Sequence, residues 1–333
     1  MADARADVFI KLNDLTTLRQ TFKVIGSFIN ETKIEFNKNC MSITDVDTTG
    51  SFMVDFKLKA KNIEACGGKY KLVRPCSVGI NVNQFEKELN ALLPDGEIVI
   101  TAEHGKYLRF VNYMPPPNKL IQQFILQTMD LDQSKFDEFN MEKPSVAKYE
   151  GGAKTKISSS ILFSQLAAKN KSLGDVSIRL VLNQDGFQIC GVSLNDIASS
   201  AVNFGGDYVG PTISNVYALK HLQKMAAAEK VNREMEIYLK QKFPVMFVYK
   251  PKTLGTLKLV LSPRVEENEI DDFAAANTRK RKRADNDDDD NDDDNDDDDN
   301  DDNNDNKAAY NREEMLTHWT TTTTNSDDND DSS

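Results

Sequence analysis

Four times along this chain, a short run with helical spacing of apolar residues gives way to strand-length runs that alternate apolar and polar residues. Such a repeat constrains the fold strongly, because every copy has one helix stripe and one strand face to bury. In the first copy Asp14 is a good N-cap, and Leu15, Leu18, Phe22, Ile25 and Ile29 recur at helical spacing over residues 14–30. TKIEFNKNCMSITDV then reads as two strands around a Lys38–Asn39 turn, and SFMVDFKL as a half-buried strand with Phe52, Val54, Phe56 and Leu58 on one face.

The second copy has the strand CSVGINV and a helix with Phe85, Leu89 and Leu92 inward, broken at Pro94–Asp95–Gly96. Its hairpin, EIVITAEHGKYLRFVNY, turns at His104–Gly105. A third helix is expected near Ser160–Ser172, with Leu162, Phe163 and Leu166 buried, before a hairpin turning at Asp185–Gly186. The fourth is expected near Asn215–Ala227, burying Val216, Leu219 and Leu222, and is followed by MEIYLKQKFPVMFVYK and TLKLVLSP. Identity between the copies is slight, so the repeat is one of pattern. The expected class is α+β, built on antiparallel sheets with four short helices on one face. The expected divisions are residues 1–127, a connector at 128–153, residues 154–265 and an acidic tail at 266–333.

Charge separates the tail from the body. The formal net charge is −12, yet residues 266–333 hold 26 Asp/Glu against 7 Lys/Arg, which leaves residues 1–265 at +7. The tail is too poor in apolar residues to offset the entropy of ordering it. Within it lie a basic run, Arg279–Lys280–Arg281–Lys282–Arg283, an Asp/Asn tract at Asp285–Asn306, and REEMLTHWT with the single tryptophan, Trp319. The basic run has the composition of a nuclear import signal. No apolar run reaches membrane-spanning length, and MADARADVFI lacks the marks of a signal peptide. Cys40, Cys66, Cys76 and Cys190 are scattered, as in an intracellular protein with reduced thiols.

Catalytic signatures are missing. His104, His221 and His318 fall in no ligand spacing, and neither GxSxG, GxxxxGK[ST] nor GxGxxG occurs. Asp45/Asp47 and Asp130/Asp132 read as solvated loop carboxylates. No enzymatic activity, metal or cofactor is expected. What the helices do share is charge on the polar side: Arg19 and Lys23, Lys87 (flanked by Glu86 and Glu88), Lys169 and Lys171, Lys220 and Lys224. Gathered on one surface, these would hold nucleic-acid phosphates without reading bases. Between the halves, ILQTMDLDQSKFDEFNMEKPS combines acidic residues with Met129, Leu131, Phe136, Phe139 and Met141. It reads either as a connector tucked on a sheet or as a docking strip.

Three stretches resemble the sliding DNA clamps of the proliferating cell nuclear antigen (PCNA) type. They are FPVMFVYKPKTLGTLKLVLSPR at Phe243–Arg264, Met129–Leu131–Asp132 in TMDLD, and Val46–Asp47–Thr48–Thr49. The resemblance covers residues 7–265 in pattern. It implies two similar domains per subunit, a homotrimeric ring with helices lining a channel around duplex DNA, and a DNA polymerase and clamp loader as partners. It also implies a groove for partner peptides at Val46, Met53, Phe136, Pro244, Val260 and Ser262. The next connector position aligns with Glu138, and a one-residue shift supplies Phe139. Subunit contacts would lie at Gln122–Thr128 (Phe124, Leu126) and Asp196–Phe204 (Ile197, Val202). The turn Asn183–Gly186 lacks the lysine that many relatives carry. The long tail and weak internal identity suggest a divergent, viral lineage, acting in the nucleus or a viral replication compartment. A rival reading is an acidic-tailed chaperone for histones or other basic proteins.

Overall fold

A computed structural model describes residues 6–93, 96–114, 121–131, 141–164, 166, 177–192, 201–204, 208, 210–251 and 255–264. The chain divides into two units, Met1–Pro263 and Arg264–Ser333. Apart from Arg264, the second unit lies outside the described residues, as do the basic run and the Asp/Asn tract.

Each copy of the repeat is strand–helix–three strands. The first comprises β1 (Val8–Leu12), α1 (Leu15–Gly26), β2 (Glu31–Phe36), β3 (Cys40–Val46) and β4 (Phe52–Lys59). A short helix α2 (Ala60–Ala65) and strand β5 (Lys69–Leu72) follow. The second copy is β6 (Cys76–Asn81), α3 (Val82–Ala91), β7 (Glu97–Glu103), β8 (Tyr107–Tyr113) and β9 (Ile121–Gln127). After a 3₁₀ turn at Val146–Tyr149 come β10 (Ala153–Ser158), helical residues 159–164 (α4), β11 (Ser177–Asn183), β12 (Gly186–Val192) and β13 (Ala201–Phe204). The fourth is β14 (Ile213–Ala218), α5 (Leu219–Lys224) running into a 3₁₀ segment Met225–Lys230, β15 (Glu234–Leu239), β16 (Val245–Tyr249) and β17 (Gly255–Leu261).

The copies interlock by exchanging their first strands. β1 pairs with β7 of the second copy, and β6 pairs with β2 of the first. β10 pairs with β15 of the fourth, and β14 with β11 of the third. The two interlocked pairs then join where β4 and β17 run antiparallel in register from Gly255↔Leu58 to Leu261↔Phe52. One eight-stranded sheet, β10-β15-β16-β17-β4-β3-β2-β6, therefore draws on both halves of the sequence, flanked by β5-β1-β7-β8-β9 and β13-β12-β11-β14. The expected antiparallel class is present, in three sheets.

Alternation explains which side of the eight-stranded sheet meets the helices. Phe52, Val54, Phe56 and Leu58 are wholly buried toward α1, where Phe22 sits edge-on to Phe56 at 6.2 Å and close to Phe85 of α3 at 4.3 Å. Each side chain of this kind contributes about 1.5–3 kcal/mol when taken from water. α1 packs on α3 and also on the Met225–Lys230 segment, so helices from both halves share one face.

Several expectations need correction. β4 is not half-buried, because Met53 and Asp55 on its other face are also covered. The fourth helix begins at Leu219, since Asn215 and Val216 belong to β14, where Val216 pairs with Arg179. The hairpin after α4 turns at Gln184–Asp185, Gly186 being already paired with Asn183. Asp45 and Asp47 are buried, not solvated. Asp47 accepts from the Ser51 and Phe52 amides at 2.9 and 3.0 Å and from the Thr49 hydroxyl at 2.7 Å, closing the turn before β4.

Candidate nucleic-acid and partner interfaces

On the helical side, the polar faces carry the expected cations. Lys23 of α1, Lys87 of α3 and Lys220 and Lys224 of α5 are exposed, and the Lys224 ammonium lies 5.7 Å from the Phe28 ring centre. Phe28 in turn stacks on Phe52, with His221 of α5 parallel beyond it. Arg19 behaves differently. Its Nε donates to the Leu89 carbonyl at 2.7 Å and its Nη2 to that of Leu92, so it closes the last turn of α3. Partial burial there lowers the Arg19 pKa from its ordinary value. Lys169 and Lys171 lie outside the described residues. Two cations that helical spacing did not single out, Lys230 and Arg233, border a cleft of about 690 Å³ with Ser158, Ser159 and Ser160.

On the opposite face of the eight-stranded sheet, four apolar side chains stand in one cross-strand row. Val46 pairs with Met53, Met53 with Val260, and Val260 with Met246. All are at most 2% exposed. Pro244 and Ser262 extend the same face at the ends of β16 and β17, where the Ser262 amide donates to the Ser51 carbonyl at 2.9 Å. Five of the expected groove residues are thus brought together by register alone. Phe136 and Phe139 lie outside the described residues.

The connector is attached to this face at both ends. Its start forms a bridge in which the Met129 amide donates to the Gly79 carbonyl at 2.9 Å, on the edge strand β6. A Cβ at position 79 would stand 2.4 Å from the Met129 carbonyl, so only glycine allows this approach. At its far end Met141 and Pro144 are buried, and the Lys258 ammonium donates to the Pro144 carbonyl at 2.6 Å. Next, the Tyr149 hydroxyl donates to the Pro244 carbonyl at 2.8 Å. Burial pushes the Tyr149 pKa well up, which keeps that proton in place.

Two of the edge strands bear the residues expected at subunit contacts. β9 closes one sheet with Ile121 and Ile125 exposed, at 60% and 54%, while Phe124 stacks on Phe110 at 4.6 Å and Leu126 is buried. Phe124 and Leu126 therefore face their own core, and the outward apolar groups are Ile121 and Ile125. β13 is the corresponding edge of the four-stranded sheet, with Val202 opposite Ile189 in register. Ile197 lies outside the described residues. Among the described residues no group of three or more His, Cys, Asp or Glu is placed to hold a metal ion, and the four cysteines are free thiols.

Residues 8–136 match the family model for the N-terminal domain of proliferating cell nuclear antigen. A protein of Methanothermobacter thermautotrophicus named "DNA polymerase sliding clamp" is 20% identical over 268 residues, spanning 78% of this chain and 98% of that one. Its namesake in Methanobrevibacter smithii is 20% identical over 262 residues with the same coverage. The crystal structure of proliferating cellular nuclear antigen from Entamoeba histolytica superposes with a TM-score of 0.67 at 16% identity, covering 78% of this chain and all of that one.

Proposed function

Because this chain is a sliding clamp of the PCNA type, we propose that three copies close into a ring around duplex DNA. On it they tether a DNA polymerase and other replication or repair proteins. The observation that carries the reading is the shared helical face, on which Lys23, Lys87, Lys220 and Lys224 meet solvent. Such a face holds phosphates through numerous weak contacts that carry no sequence information, so the ring slides without leaving the strand.

Ring closure would pair β9 of one copy with β13 of the next, as two sheet edges bring complementary unused backbone groups. A clamp loader would open the ring. Partner proteins would insert a short apolar and aromatic plug between the connector and the Val46–Met53–Val260 row. The role asks for no catalysis and no cofactor, and we assign neither. The basic run Arg279–Arg283 supports import into a nucleus, or residence in a viral replication compartment.

The test is retention on DNA. Loaded onto nicked circular DNA, the ring should stay through gel filtration and be lost when the circle is linearised. Equal loss from both forms would refute topological linkage. Removal of residues 266–333 separates the chaperone reading, since a clamp keeps polymerase stimulation and a chaperone loses its basic partner.

A further inference from the structure

Beside the apolar row, one register step along, the same sheet face carries a polar row. Thr44 pairs with Asp55, and Asp55 with Lys258. The Thr44 hydroxyl donates to Asp55 Oδ1 at 3.0 Å, and Asp55 Oδ2 lies 3.3 Å from the Lys258 ammonium. The same ammonium donates to the Pro144 carbonyl at 2.6 Å. Asp55 is wholly buried and Lys258 nearly so, with 0% and 16% of their side chains exposed. One cation thus joins three segments far apart in sequence: β4 of the first half, β17 of the second, and the end of the connector. A plain sheet surface would carry an apolar pair at this site at less cost, since both charges must leave water. Their placement is explained if they serve to fix the connector, whose main chain needs a directional partner where it crosses the seam.

We propose that Lys258 is a positioning residue for the partner groove. Held by Asp55 and holding Pro144, it fixes the far end of the connector one register step from the Val46–Met53–Val260 row, and so bounds the groove at that end. The groove is then organised before a partner arrives, which spares binding the cost of ordering the connector. This rests on the partner-groove reading above.

The experiment uses the full chain and four variants: Lys258→Met, Lys258→Arg, Asp55→Asn, and the double Asp55→Asn/Lys258→Met. Amide exchange over Met141–Ser145 reports the tether. Fluorescence anisotropy with a synthetic peptide bearing an aliphatic residue and two aromatics reports the groove. Lys258→Met should accelerate exchange and weaken the peptide about tenfold, and Lys258→Arg should restore both to within a few-fold. The double variant leaves no buried lone charge and should refold to near wild-type Tm while keeping the affinity loss, which separates positioning from stability. Unchanged exchange in Lys258→Met overturns the tether. Faster exchange with unchanged affinity overturns the positioning role. Should the wild-type chain bind no such peptide, the groove reading itself fails, and the exchange result still decides the tether.

Discussion

Arg19 donates its Nε proton to the carbonyl of Leu89, 2.7 Å away on the neighbouring helix α3. A cation that helical spacing assigns to a solvent face is thereby engaged in ending a helix, whose last carbonyls lack intrahelical donors. Arg19→Ala should cost about 1–2 kcal/mol and lower Tm by several degrees. Lys23→Ala, one turn further along α1 and exposed, should leave Tm within a degree or so. Thermal denaturation of the two variants checks the contrast, and equal Tm values would contradict it.

Lys23, Lys87, Lys220 and Lys224 are exposed and predicted to act on phosphate. Each neutralisation to Gln should weaken binding to unrelated duplex sequences alike, and reduce the slope of log affinity against log salt by about one. Titrations at several salt concentrations give the slope. A variant that changes sequence preference would show a different kind of contact.

The parts of the fold legible in the sequence are those where one local period decides burial. Phe52, Val54, Phe56 and Leu58 alternate and are wholly buried. Met53 and Asp55 alternate with them and are buried as well, on the face where β17 joins β4 in register, which no local period records. α2 and β5 were not legible either. α2 has six residues and no side-chain N-cap, and β5 exposes Lys69 and Lys71 around a single buried Tyr70. At the fourth helix, Val216, Leu219 and Leu222 keep helical spacing across a strand–helix junction by coincidence. Asn215 is held in β14 by amide donation to the Lys240 carbonyl at 2.9 Å. That Val46, Met53 and Val260 lie close together was legible through resemblance, while the neighbouring contact of Asp55 with Lys258 was not, because these two are 203 positions apart and meet only through strand register.

Asp7 makes stability depend on acid. Burial alone would push its pKa up, but the Arg74 side chain and the His104 amide, which donates at 2.9 Å, outweigh that and hold it below its ordinary value. A depressed carboxylate stabilises the fold fully above its unfolded pKa of about 3.9, and the contribution is lost as pH falls through the lower folded value. Asp7→Asn should therefore be less stable than wild type by a constant margin from pH 5 to 8, and the margin should close below about pH 4. Urea titrations across this range measure it. A margin that widens on acidification would reverse the assigned sign.

Gly79→Ala places a methyl group 2.4 Å from the Met129 carbonyl and 3.0 Å from Leu131 Cγ. The connector start must lift, since the backbone at position 129 cannot retreat as a side-chain tip would. The cost should be about 1–3 kcal/mol and local. Exchange of the Met129 amide, which donates to Gly79, should speed up while core amides of β3 and β4 keep their protection. Unaltered exchange at Met129 would mean that the bridge is not what holds the connector.

The edge strand β9 sets inward and outward apolar groups side by side within seven residues. Phe124 stacks on Phe110 in the core, so Phe124→Ala should destabilise the isolated subunit by about 3 kcal/mol. Ile125, the next residue, points outward with 54% of its surface exposed. Ile125→Asp removes little packing within the subunit, yet it puts a carboxylate where the edge of a neighbouring copy would lie in a closed ring. Sedimentation should then shift from three subunits to one at micromolar concentration, with an unchanged circular dichroism spectrum. If the ring closes through these edges, the same variant should also lose retention on circular DNA. A trimer that survives Ile125→Asp would move subunit contact away from β9.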